Sequence, residues 1–153
     1  MFIKKKILFI LVICILLTGC GVSKSELKEN KKQYNNSIKA LCEEYNLKDC
    51  KIEIDDFSKI DNIYIADTYI YSDNFSKLSS NDAFFFAKEL SELEDEIETK
   101  SSDVIAYSEY IISNDSKYYY DNEKGIDYLM KDTESVYTIK NGQVMYDIFE
   151  KGY

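Results

Sequence analysis

The sequence predicts an α+β domain, with one or two helices packed on an antiparallel sheet of about five to six strands. Three observations predict it. Two stretches, around residues 34 and 90, carry apolar side chains at helical period. The runs between and after them are rich in Ile, Val and Tyr, whose branched or aromatic side chains suit a pleated surface. Asn141-Gly142 lies between two such runs and signals a tight hairpin, because both turn residues need positive φ.

In chain order, the first helix sets Leu27, Tyr34, Ile38, Leu41 and Tyr45 on one face, with lysines, glutamates and asparagines between them. Residues 20–30 read as a polar tether that merges into this helix, so the folded domain is expected over 31–153. Ile52 and Ile54 alternate with Glu53 and Asp55 as a half-buried strand. Asp61-Asn62 marks a turn, and residues 63–71 form the strongest strand of the middle region. Ser79, with Asp82 three residues on, caps a second helix. Its stripe is Ala83, Phe86, Ala87, Leu90, Leu93 and Ile97, opposite Glu89, Glu92 and Glu96. Phe84 and Phe85 fall outside the stripe, so each either reaches a second packing layer or is exposed.

From Asp103 onward the pattern is β. Residues 104–112 read as a strand, Ser113-Asn114-Asp115-Ser116 as a turn and residues 117–120 as the returning strand. Residues 121–132 read as a loop or a single helical turn carrying Ile126, Leu129 and Met130. A two-residue loop at Asn141-Gly142 pairs Ile139 with Val144 and Tyr137 with Tyr146 on one face, with Ile148 continuing it. Residues 69–72 and 110–113 echo each other, but the flanking helices do not align at the same offset, so the likeness is one of composition. The order of elements also suits a cystatin-like or NTF2-like arrangement, an analogy of fold that carries no function.

The front of the chain is of another kind. Lys4, Lys5 and Lys6 precede an unbroken apolar run from Ile7 to Leu17, followed by Thr18, Gly19 and Cys20. At 1.5 Å per helical residue the run spans roughly 17 Å, short of the ~30 Å hydrocarbon core. It reads as a secretory signal with a charged start, a short apolar middle and small residues before the cut. The ending Leu17-Thr18-Gly19-Cys20 resembles the lipobox of bacterial lipoproteins. The resemblance covers only these twenty residues and implies three things. Residues 1–19 are a signal peptide, Cys20 is lipidated on its sulfur, and the body is held on the outer face of the cytoplasmic membrane. Two acyl chains on one diacylglyceryl group make such anchoring stable. The Lys, Asn, Ile and Tyr bias points to an AT-rich, Gram-positive source.

Charge and length bound what the body does. Without the leader and its three lysines, 16 basic and 28 acidic side chains remain, a net charge of −12. That disfavours nucleic acid, whose binding depends on neutralising phosphates, and disfavours lying flat on an anionic membrane. The sequence contains no histidine, which removes Ser-His-Asp and Cys-His sites and histidine acid–base catalysis. No glycine cluster cradles a phosphate, and the acidic run Asp121-Asn122-Glu123 lacks the spacing of a calcium loop. No enzyme, metal or cofactor is expected.

Cys42 and Cys50 remain as the thiols of the body. Outside the cell they either join in a disulfide, stabilising the fold by about 2.5 kcal/mol on a chain-entropy model, or stay as two thiols. Tyr118, Tyr119 and Tyr120 cannot share one face of a strand. With Phe84 and Phe85 they form the candidate contact surface for another envelope protein. A small-ligand or glycan binder and an inhibitor or immunity protein against a phage or secreted enzyme are the alternative readings.

Overall fold

The computed structural model describes residues 21–93 and 103–147; the expected leader with Cys20, and Glu96, Ile97 and Ile148, lie outside them. Among the described residues, two helices pack on a mostly antiparallel sheet of eight strands. The strands are β1 (Lys51–Ile54), β2 (Ser58–Ile60), β3 (Ile63–Tyr71), β4 (Val104–Ser113), β5 (Ser116–Glu123), β6 (Ile126–Lys131), β7 (Glu134–Lys140) and β8 (Gln143–Asp147). The helices are α1 (Lys24–Glu44) and α2 (Ser80–Glu92).

Helix α1 starts inside the stretch expected to be tether. Ser23 caps it, its hydroxyl accepting from the Glu26 N–H at 3.1 Å, and Val22 and Asn30 are buried. The acidic and basic residues that suggested a tether are the exposed side of the helix. Its end is set by Asn46 at φ 57°, a left-handed residue that lets Asn46 N–H reach Glu43 O and Leu47 N–H reach Cys42 O. That doubly bonded stop usually uses glycine, and asparagine is the common substitute.

The sheet runs β1-β3-β4-β5-β6-β7-β8, with β2 also pairing β3 beyond the end of β1. Strands β3 and β4 are parallel, because α2 carries the chain back between them. Every other pair is antiparallel. The count of eight exceeds the five to six expected because β2 carried no strand signal in the sequence and because residues 121–132 are not a loop. They complete β5, turn at Lys124-Gly125 and form β6. Lys124 (φ 54°) and Gly125 (φ 75°) make the same left-handed turn as Asn141 (φ 51°) and Gly142 (φ 74°). Lysine pays a steric penalty there that asparagine largely avoids, which is why the residue types hid the turn.

At the last hairpin Ile139 pairs with Val144 as expected, but Tyr137 lies opposite Asp147 and Tyr146 opposite Thr138. A bulge between Thr138 and Ile139 shifts the register by one residue, which moves Tyr146 to the other face.

Both helices cover one face of the sheet. Tyr34 and Ile38 of α1 meet Ile70, Tyr107 and Ile111 in a core that α2 completes with Ala83, Phe86, Ala87 and Leu90. Ser79 caps α2 as expected, its Oγ accepting from the Asp82 N–H at 3.1 Å. Phe84 resolves its conflict with the stripe by reaching a second layer. Its ring lies 5.4 Å from Tyr137 and 6.1 Å from Tyr120, while Phe86 faces Tyr45 and Phe75. Helix α2 is therefore buried on two sides. Beneath α1, the Tyr34 and Tyr107 rings stack at 3.7 Å, and their hydroxyls donate to Glu109 and Asn30. Thr68, fully buried beside them on β3, has a hydroxyl with no hydrogen-bond partner.

Candidate functional site

Alternation along β3 and β4 sends Ala66, Thr68, Ile70, Ile105, Tyr107 and Ile111 to the helices. It leaves Ile65, Asp67, Tyr69, Tyr71, Tyr110 and Ile112 half-exposed on the opposite face. Among the described residues no helix packs there.

The register gathers tyrosines on this open face. Tyr69 pairs with Tyr110 across the parallel strands, and their rings stack at 5.5 Å. Tyr71 flanks Tyr69 at 6.5 Å, and Tyr119 meets Tyr110 edge-on at 6.3 Å. Lys117 Nζ lies 4.4 Å above the Tyr110 ring and Lys51 Nζ 5.6 Å above that of Tyr71, both within cation–π range. Glu53 is paired with Tyr69 on the other side, and its carboxylate holds Lys51. Burial among these neighbours, and then the carboxylates of Asp67 and Asp55, raise the Tyr69 phenol above its ordinary value. Tyr71 is raised by burial and then by Glu53. Both remain protonated donors at neutral pH.

Of the five aromatic residues expected to form a contact surface, the structure divides the set. Phe84 is 1% exposed and Tyr118 4%, so both belong to the core and are corrected out of the surface. Tyr120 packs against that core, its hydroxyl donating to Asp127 at 2.6 Å. Phe85, 38% exposed, stands on α2, and Tyr119 joins the open tyrosine row. Tyr69, Tyr71 and Tyr110 were missed. The sequence signal that finds them is alternation of tyrosine with Ile70 and Ile111 in two strands that share one register.

Cys42, buried at the end of α1, and Cys50, half-buried before β1, are both free thiols and lie in contact. The hydrogen bond between them lowers Cys50 below the usual thiol value; with burial, it raises Cys42 above it. Nearby, Asp49 accepts from the Ser72 hydroxyl at 2.6 Å and from the Asn74 N–H at 3.2 Å. Desolvation alone would raise its carboxyl, but these bonds outweigh it and hold the pKa down.

A cleft of about 380 Å³ between the helices is lined by Leu41, Glu44, Glu89, Glu92 and Leu93, and is wide open to solvent. Among the described residues no three side chains of metal-ligating type converge. None of the described helices is long and apolar enough to cross a membrane. No family model, curated protein or solved structure matches the chain.

Proposed function

We propose that the protein is a lipoprotein tethered through Cys20 to the outer face of the cytoplasmic membrane, with a body that is a non-enzymatic interaction module for another envelope protein. The observation that carries the reading of the body is the row Tyr71, Tyr69, Tyr110 and Tyr119 on a sheet face that neither helix covers. Tyrosine offers a large, rigid contact area at low entropic cost and a hydroxyl at its tip, which is why it dominates binding surfaces. Lys51, Lys117 and Glu53 around the row supply charge at its rim. The acidic body favours a partner with a basic surface.

A glycan ligand is the alternative, but it needs open ring faces for stacking. The faces of Tyr69 and Tyr110 are occupied by each other and by Lys117, which leaves ring edges and hydroxyls outward. That arrangement favours a protein.

Two experiments test the reading. Replacing Cys20 with serine releases the protein from membranes or blocks its processing; unchanged membrane retention contradicts the anchor. Crosslinking on intact cells, followed by mass spectrometry, recovers a reproducible envelope partner; recovery of nothing above background contradicts the interaction module.

A further inference from the structure

Three aliphatic side chains stand together at the end of the sheet where β3 and β4 begin. Ile60 is 60% exposed, Ile63 39% and Val104 54%. Ile60 pairs with Ile63 across the turn Asp61-Asn62, and Ile63 pairs with Val104 in the parallel ladder. Cross-strand partners project to the same face, so the three form one row about 10 Å wide at the usual strand spacing. Ile65 and Ala106, the next pair along β3 and β4, continue the apolar surface on the same face.

The chain enters the fold at this same end. A side-chain carbon on Gly21 would lie 2.6 Å from Asp103 Oδ2 and 3.5 Å from Lys59 Nζ. Lys59 bonds Asp103 at 3.2 Å. Lys59 precedes Ile60 and Asp103 precedes Val104, so Gly21 is seated at the same end of the sheet as the row, on the helix-covered side where Lys59 meets Tyr64. Val22 is buried in the core and α1 starts two residues later, so nothing loose separates Gly21 from the domain. Cys20 is one peptide bond further, about 3.8 Å between Cα atoms. A lipid on its sulfur would enter the bilayer at the end of the sheet that carries the aliphatic row.

We propose that Ile60, Ile63 and Val104 are a membrane-contact surface that inserts into the outer leaflet beside the Cys20 lipid and stands the domain end-on. This rests on the lipoprotein reading given above. The occupant is the bilayer itself, because the row stands at the end of the sheet where Gly21 enters the fold, and an apolar surface held at a membrane is buried in it at no further cost of encounter. End-on contact keeps most of the acidic body away from an anionic surface. With strands rising about 3.3 Å per residue, Tyr69 then stands roughly 20 Å above Ile63, clear of the headgroups.

The test uses the full-length lipidated protein, reconstituted into phosphatidylcholine–phosphatidylglycerol vesicles. An environment-sensitive fluorophore is attached at Ile60→Cys, Val104→Cys, Ser58→Cys or Phe85→Cys, each in a Cys50→Ser background. Lipids brominated near the headgroup end of the acyl chains should quench positions 60 and 104 at least twofold. Position 58, one row further from the turn, should be quenched less, and position 85 not at all. Vesicles that carry the protein but quench no position overturn the inference while leaving the anchor intact, and would turn the row over to a protein partner. Protein that neither floats with vesicles nor carries diacylglycerol on Cys20 overturns the anchor and the inference together. Ser58 and Phe85 also guard against misfolding, since a variant that collapses would change emission without following that gradient.

Discussion

Replacing Phe84 and Phe85 one at a time separates two adjacent phenylalanines that the helical stripe alone treats alike. Phe84 is 1% exposed and wedged against Tyr120 and Tyr137, whereas Phe85 is 38% exposed and touches Phe84 edge-on at 5.3 Å. Truncating a buried phenylalanine to alanine costs about 3–5 kcal/mol, the sum of lost transfer energy and the cavity left behind. In a body of this size each kcal/mol moves the midpoint by roughly 3–5 °C, so Phe84→Ala should melt about 10–20 °C lower. Phe85→Ala keeps the second layer and should cost less than about 1.5 kcal/mol. The assay is urea and thermal unfolding of the Cys20→Ser protein, followed by circular dichroism. Equal losses for the two variants, or a loss under 1.5 kcal/mol for Phe84→Ala, would refute the argument that α2 is buried on two sides.

Three further outcomes follow from named contacts. Thr68→Val removes a buried hydroxyl that has no partner and should raise stability by about 1 kcal/mol; a loss in urea unfolding would mean that the hydroxyl is satisfied. The Tyr120 hydroxyl, with help from Asn122, holds the Asp127 carboxyl below its ordinary 3.8, and Tyr120 is itself pushed up to about 12 by burial and by Asp127. A depressed carboxyl contributes stability at pH above the unfolded value and loses it as pH falls through the folded one. Tyr120→Phe should therefore cost stability at pH 7, a cost that shrinks below pH 4, and should raise the Asp127 pKa in a carbon-detected NMR titration; an unmoved Asp127 contradicts the bond. Mild oxidation should join Cys42 to Cys50, abolish labelling by a thiol reagent until reductant is added, and stabilise the fold by about 2.5 kcal/mol. Equal labelling before and after reduction excludes the bridge.

The fold was legible where one local signal agreed with one packing surface. The Ser79 cap, the stripe of α2 and the Asn141-Gly142 turn are of that kind. What escaped involved two elements at once. Strand β6 was hidden because Lys124-Gly125 replaces the favoured asparagine at the turn, and because Ile126, Leu129 and Met130 also fit a helical turn. The register of β8 was missed because a bulge has no residue signature of its own. The start of α1 was missed because charged residues on a helix's outer side and in a tether look alike; burial of Val22 and Asn30 decides between them. The candidate site was less legible still. Tyr118, Tyr119 and Tyr120 attracted attention as a run, yet alternation buries Tyr118 and turns only Tyr119 to the open face. The row it joins comes from β3 and β4, and the parallel register that unites Tyr69 with Tyr110 depends on the crossover through α2.

Site-specific crosslinking tests the central claim most directly. A photoreactive phenylalanine is placed singly at Tyr69, Tyr110, Tyr119 or Phe85 of the tethered protein, and intact cells are illuminated. The account predicts one shared partner captured from positions 69, 110 and 119, absent from position 85, and lost when Tyr71 and Lys117 are changed to serine. Capture from position 85 alone, or from none of the four in cells that display the protein at its normal level, would contradict the open face as the contact surface.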